Sequence, residues 1–244
     1  MPDPIFLSIA SIFLLAGMVK GVTGLGLPTV AMGLLGLLMP PAGAAALIAL
    51  PSLATNLWQM LSGPSLRPLL RRLWPMQAGV CLGTMAGAGL LARGDAGMAT
   101  TALGLALAAY AALGLSPLRL PAVPPRAQRW LGPAAGAVTG LVTAATGVFV
   151  IPAVPYLQAL RLERDELVQA LGLSFTVSTL ALAVALAGVG AFDLGSAWGS
   201  LLALPPALVG MWFGQELRRR VSPETFRRGF FVGLLLLGIW LAFA

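Results

Sequence analysis

The sequence predicts an all-α integral membrane protein made of two inverted-topology repeats. Each repeat is a short broken-helix hairpin followed by three transmembrane helices, about ten segments in all. Three observations carry this. Of 244 residues, 58% are hydrophobic and only 9% charged, where soluble chains carry about a quarter. Apolar runs follow one another along the chain at membrane-helix length or somewhat less. The order of short and long runs repeats half-way along, while the basic loops change places.

The first apolar run is Ile5–Val19, and Leu27–Met39 follows it. Each holds 13 to 15 residues, about 20 Å of helix against a hydrocarbon core of about 30 Å. Three longer runs come next, Ala42–Met60, Trp74–Ala92 and Met98–Leu115. The second half has the same plan: Trp130–Thr143 and Val148–Leu160 are short, and Leu167–Gly188, Leu194–Phe213 and Gly229–Ala244 are longer. The organisation is therefore a first repeat over 1–116, a connection over 117–129 and a second repeat over 130–244. Met1-Pro-Asp-Pro has an acid and no basic region, so the first run is expected to stay in the mature protein. A shift of 123 residues puts Gly17 on Gly140, Val19 on Val142 and Gly24 on Gly147. It also puts Leu50-Pro-Ser-Leu-Ala-Thr-Asn56 on Leu173-Ser-Phe-Thr-Val-Ser-Thr179, and Pro28 one position from Pro152. Tandem membrane repeats of this kind mark a transporter architecture.

Charge separates parallel from inverted repeats, because cytoplasmic loops gather Arg and Lys. The loop with Arg67, Arg71 and Arg72 corresponds in the second half to one with Asp193 and no base. The next loop, where Arg93 is balanced by Asp95, corresponds to one holding Arg218, Arg219, Arg220, Arg227 and Arg228. The basic loop has moved by one place, so the copies are inverted and each makes an odd number of crossings. Arg119, Arg126, Arg129, Arg161 and Arg164 then join the same side. Only Arg93 and Lys20 stay apart from it. Both termini are expected outside, in keeping with Asp3.

Composition removes several functions. One Cys and no His leave no disulfide framework, no Cys-based metal site and no common general base. No cofactor and no metal are expected. A net charge of +7 suits nucleic acid only on a wetted basic surface, which this chain lacks, so no nucleic-acid partner is expected. No nucleophile and base can be assembled without His and without carboxylates inside the apolar runs, so the chain is not expected to be an enzyme.

The chemistry sits at the breakers. Lys20-Gly-Val-Thr-Gly-Leu-Gly-Leu-Pro28 interrupts the first hairpin and Thr143-Ala-Ala-Thr-Gly147 the second. Glycine and proline so placed end one helix and begin another. A helix that begins inside a membrane has unpaired N–H groups and a positive dipole end. An anion is the natural partner. The candidate substrate contacts are Lys20, Thr23, Gly24, Leu25 and Gly26 in the first breaker, and Thr143, Thr146 and Gly147 in the second. Lys20 is the one base outside the loops; it either neutralises a bound anion or snorkels and caps the first segment. Ser52, Thr55 and Asn56, with Ser174, Ser178 and Thr179 in the other repeat, either complete an oxyanion shell or join packed helices.

Other features have plain structural readings. Gly17xxxGly21, Gly83xxxGly87 and Gly136xxxGly140 read as helix-packing faces. Gly24-Leu-Gly26 lacks the third glycine and preceding strand of a dinucleotide fingerprint. Cys81 reads as a small packed residue, and the six Trp as an interfacial belt.

The glycine-rich breaker over Lys20–Pro28, its echo over Thr139–Pro152 and the repeated apolar plan together resemble the TauE/SafE-type sulfite exporter (TSUP) family along nearly the whole chain. The echo departs from that pattern at Ala144, Ala145 and Val148, where glycines recur in the family. The resemblance implies a bacterial inner-membrane transporter of sulfite, sulfonates or related small anions. Every acid falls in a loop or at a segment end, so no dedicated proton relay is expected and export can run on the membrane potential. The expected mechanism is alternating access, with an anion site at the broken-helix tips near the midplane. The expected partners are a small anion and the lipid bilayer, with oligomeric state open between a monomer and an assembly such as a homodimer. The alternative is a non-transporting membrane scaffold or binding subunit of a larger complex.

Overall fold

The computed structural model describes residues 4–117, 120–191, 194–220 and 222–243. Asp3, Arg119 and Asp193, used above to assign sides, lie outside them. The described residues form eleven helices and no strand. Seven are long and apolar enough to cross a membrane, and the chain is a multi-pass membrane protein.

The first repeat holds α1 (Pro4–Thr23), α2 (Leu27–Leu35), α3 (Pro41–Leu61), α4 (Leu66–Ala86), the single turn α5 (Leu90–Arg93) and α6 (Ala96–Leu115). The second holds α7 (Pro125–Thr146), α8 (Ala153–Ala159), α9 (Arg164–Gly188), α10 (Leu194–Leu217) and α11 (Pro223–Phe243). Residue chemistry sets the boundaries. Gly24 and Gly147, both at positive φ, terminate α1 and α7. Gly26 caps α2 and Pro28 occupies its first turn. Asp95 accepts from Met98 N and caps α6.

Two differences from the sequence expectation stand out. The first arm of each hairpin is long: α1 has 20 residues and α7 has 22, while α2 and α8 have 9 and 7. Apolar runs understate both arms, because α1 continues through Lys20 and α7 opens on Pro125, a good first-turn residue, before two arginines. The connection therefore ends at Pro124. Likewise α4 begins eight residues before Trp74, with exposed arginines on one side and buried Leu69, Leu73 and Met76 on the other. Its first turns are amphipathic rather than apolar.

The halves interlock. Helix α1 lies along α10 and α7 along α4, which is the same pairing with the repeats exchanged; α3 crosses α9, and α6 lies along α11. Glycines make these contacts close. A Cβ on Gly17 would stand 2.1 Å from Ala207 O, and one on Gly136 would stand 2.0 Å from Met76 O. The glycine pairs singled out in the sequence are packing faces.

Hydrogen bonds bring one set of helix ends together. Gln169 of α9 accepts from Ser65 N and donates to Met60 O and Gly63 O. Arg72 of α4 donates to Gln128 of α7, Val123 N to Ala159 O, and Arg227 of α11 to Gly114 O. This face collects Arg67, Arg71, Arg72, Arg126, Arg129, Arg161, Arg164, Arg218, Arg219, Arg220, Arg227 and Arg228. It is called the arginine face below. Helix α1 runs toward it, alongside α10, whereas its counterpart α7 begins there, so the repeats are inverted, as the displaced charges predict. The six Trp are 63–67% exposed, and one of them, Trp58, also lines the cavity described below. Cys81 is exposed, a correction to its expected burial: it lies off the glycine stripe by which α4 meets α7.

Candidate functional site

The polar residues of α3 fall at 52, 55, 56 and 59, a helical stripe. That stripe faces α9 and the end of α1. Lys20 Nζ, on the last turns of α1, donates to Asn56 Oδ1. Asn56 Nδ2 donates to Thr179 Oγ1 at 3.4 Å, across 123 residues. That separation is the repeat offset, so Asn56 and Thr179 are repeat mates. Mates touch only where the axis relating the repeats passes between them. For inverted repeats the axis runs parallel to the membrane plane, half-way between the two faces. Lys20 is 4% exposed, and its ammonium reaches this axis rather than the surface.

The ammonium has three donors, and Asn56 takes one. Among the described residues no carboxylate forms an ion pair with Lys20; the ion pairs join Glu216 and Glu224 to arginines at the face. Three hydroxyls predicted for the site, Ser52, Ser174 and Ser178, are fully buried and have no hydrogen-bond partner among the described residues. Buried groups of this kind are rare without a ligand or water to satisfy them. The threonines differ. Thr55 donates to Pro51 O, Thr143 to Thr139 O and Thr179 to Phe175 O. Their protons are spent within their own helices.

Both breakers are built the same way. Gly24 N donates to Lys20 O and Gly147 N to Thr143 O. Thr23 Oγ1 accepts from Leu25 N, and Thr146 Oγ1 from Val148 N. Thr23 and Thr146 therefore satisfy their own turns. Gly26 opens α2 at positive φ, where a Cβ would stand 3.2 Å from Val19 and 3.5 Å from Phe230. The N–H groups of Leu27 and Thr29 find no acceptor among the described residues, and Thr29 Oγ1 is buried without a partner. Helix α8 is shorter and follows a non-helical stretch over 148–150, so the second hairpin presents less helix end than the first.

A cavity of about 300 Å³ adjoins Lys20. Gly24, Thr55 and Gln59 line it, and exposed Ser62, Asp165, Gln215 and Arg218 form its mouth at the arginine face. Gln59 belongs to the α3 stripe, one turn beyond Thr55, so that periodicity could have identified it. Gln215 and Arg218 come from the second repeat, and no local pattern marks them.

A family model for the sulfite exporter TauE/SafE matches residues 9–241. The chain belongs to the TauE/SafE sulfite exporter family. No curated protein and no solved structure matches it. Membership of a transporter family gives the buried lysine, the orphan hydroxyls and the cavity a common context. In this TauE/SafE member Lys20 lines the cavity and, through Asn56 and Thr179, joins the two repeats where they cross.

Proposed function

We propose that the protein exports small oxyanions, sulfite or sulfonates among them, across the bacterial inner membrane by alternating access. Lys20, Asn56, Ser52, Ser174 and Ser178 hold the anion, and the arginine face is cytoplasmic with both termini outside. The observation that carries this is the Lys20 ammonium, buried on the repeat axis beside a polar cavity, with two donors unspent and no carboxylate paired to it. A charge in that setting costs several kcal/mol unless a counter-charge arrives. An anion supplies one, and the serine hydroxyls supply donors to its oxygens. The cavity holds about ten waters at about 30 Å³ each, room for a small hydrated anion. Arg218 at the mouth has no ion pair among the described residues and draws anions inward. Orphan N–H groups at the start of α2 favour the same sign of charge.

The acids in the described residues, Asp95, Glu163, Asp165, Glu166, Glu216 and Glu224, all stand at helix ends. Export therefore draws on the membrane potential, about 2.3 kcal/mol per charge per 100 mV. Purified protein in liposomes is expected to exchange labelled sulfite, sulfonates or small carboxylates in counterflow. Silence across that panel refutes transport and leaves a scaffold or binding subunit.

A further inference from the structure

The repeat offset relates the Lys20 cavity to a second place in the molecule. Shifting by 123 residues carries Gly24 to Gly147, Gln59 to Leu182 and Gly63 to Leu186, and carries Ala45 to Val168. All four residues on one side of these pairs, Gly24, Gln59, Gly63 and Val168, line the 300 Å³ cavity. Their four mates line a void of about 10 Å³. The two spaces are thus the same space seen once from each repeat, open in one and collapsed in the other. The glycines show the difference locally. Nothing stands within 4 Å of a Cβ placed on Gly24, whereas Met32 Cε stands 2.6 Å from one on Gly147. Phe149, fully buried and tilted at 57° against Phe175 with ring centroids 5.3 Å apart, closes the void beside Met32. The polar chain from Lys20 through Asn56 to Thr179 runs between the spaces. Lys20 lines the open one and Thr179 the closed one.

We propose that the void is a second vestibule, held shut by Met32, Phe149, Leu182 and Leu186. Resting on the transport function proposed above, it is the path by which the anion leaves to the face opposite the arginines. When it opens, the two repeats exchange conformations, so Gly24, Gln59, Gly63 and Val168 close together and the Lys20 cavity is lost. Both vestibules reach the same on-axis cluster, and one site serves both faces without a continuous pore. Packed interfaces of this kind switch between discrete arrangements rather than deform gradually.

The test uses single cysteines in a Cys81→Ser background in proteoliposomes, with a membrane-impermeant maleimide applied to each face. Gln59→Cys reports the open vestibule and Leu182→Cys its closed mate. Ala183→Cys, which lines the same void, replaces Leu182→Cys if that variant fails to fold. The closed-side reporter is expected to react at least about tenfold more slowly, as for a minor state populated at roughly 10% or less. Adding Phe149→Ala, or Met32→Ala, is expected to raise the Leu182→Cys rate and lower the Gln59→Cys rate. Equal rates in the parent, both rates rising together, or no response to either trim overturns the proposal. Counterflow on the same vesicles separates the two ideas. Active exchange without reciprocal labelling refutes the gate, and reciprocal labelling without exchange refutes transport.

Discussion

Lys20→Met keeps an unbranched side chain one atom shorter and removes the ammonium. In the structure this deletes the donor to Asn56 and the one cation on the repeat axis. A hydrogen bond to a charged group contributes about 1.5–3 kcal/mol. At about 1.4 kcal/mol per tenfold, anion affinity is expected to fall by roughly ten- to 150-fold. Stability is expected to move the other way. Removing a buried charge that has no ionic partner relieves a desolvation cost of several kcal/mol, which exceeds the cost, about 1–3 kcal/mol, of leaving Asn56 Oδ1 without its donor. The melting temperature in detergent without anion is therefore expected to hold or rise. Sulfite should raise it in the parent by mass action and much less in the variant. Isothermal calorimetry and thermal melts on one preparation read both quantities. A lower melting temperature with unchanged affinity refutes the assignment and makes Lys20 a structural tie between α1 and α3.

Four further outcomes follow from the same contacts. Asn56→Asp places a carboxylate where the amide oxygen accepts from Lys20; it is expected to satisfy the ammonium internally and abolish counterflow while the melting temperature rises. Ser200→Ala is expected to destabilise the fold by about 1–3 kcal/mol. Pro51 has no N–H for Leu47 O, and Ser200 Oγ donates to that oxygen at 2.7 Å while accepting from Leu50 N at 2.9 Å; with Pro51→Ala already present the loss should shrink, as a double-mutant cycle of melts would show. Gly17→Ala is expected to cost about 1–3 kcal/mol, since its Cβ would meet Ala207 O at 2.1 Å; an unchanged melt would mean that α1 and α10 separate freely. Thr143→Lys puts a second ammonium at the position related to Lys20; it is expected to lower the anion-free melting temperature, and a divalent oxyanion should recover more of the loss than chloride.

Much of this was legible in the sequence. All the helices but the single turn α5, the broken hairpins and the inversion follow from hydropathy and from the displacement of a few arginines, since both signals are local. The glycine faces were legible because small residues four apart leave one surface bare. The lengths of α1 and α7 were not, because a helix can carry Lys20 through the membrane once Asn56 receives it, and α3 is far away in sequence. The division of the hydroxyls was also hidden. Spacing makes Thr55 and Ser52 equivalent, but only the backbone geometry spends the threonine proton on Pro51 O and leaves the serine without a partner. Arg218 reads as a topology signal, and its place at the cavity mouth comes from the packing of α10 along α1.

The weaker second breaker also has a physical reason. A site on the axis of two inverted repeats belongs to both, so whatever one repeat contributes, strict symmetry would supply twice. Lys20 reaches Asn56, and a lysine at 143 would reach toward Thr179, which touches Asn56. Two ammoniums at roughly 6 Å repel by about 3 kcal/mol at an effective dielectric constant near 20. A monovalent anion offsets one of them. The second copy carries Thr143 instead, with its proton spent on Thr139 O. The same asymmetry runs outward from the axis. Gln59 and Gly63 line the open vestibule, and their mates Leu182 and Leu186 line the closed one. Under the proposed function, an anion captured beside Lys20, Gln59 and Arg218 would leave through a path whose lining residues carry no cation, so nothing of like strength would hold it on the way out.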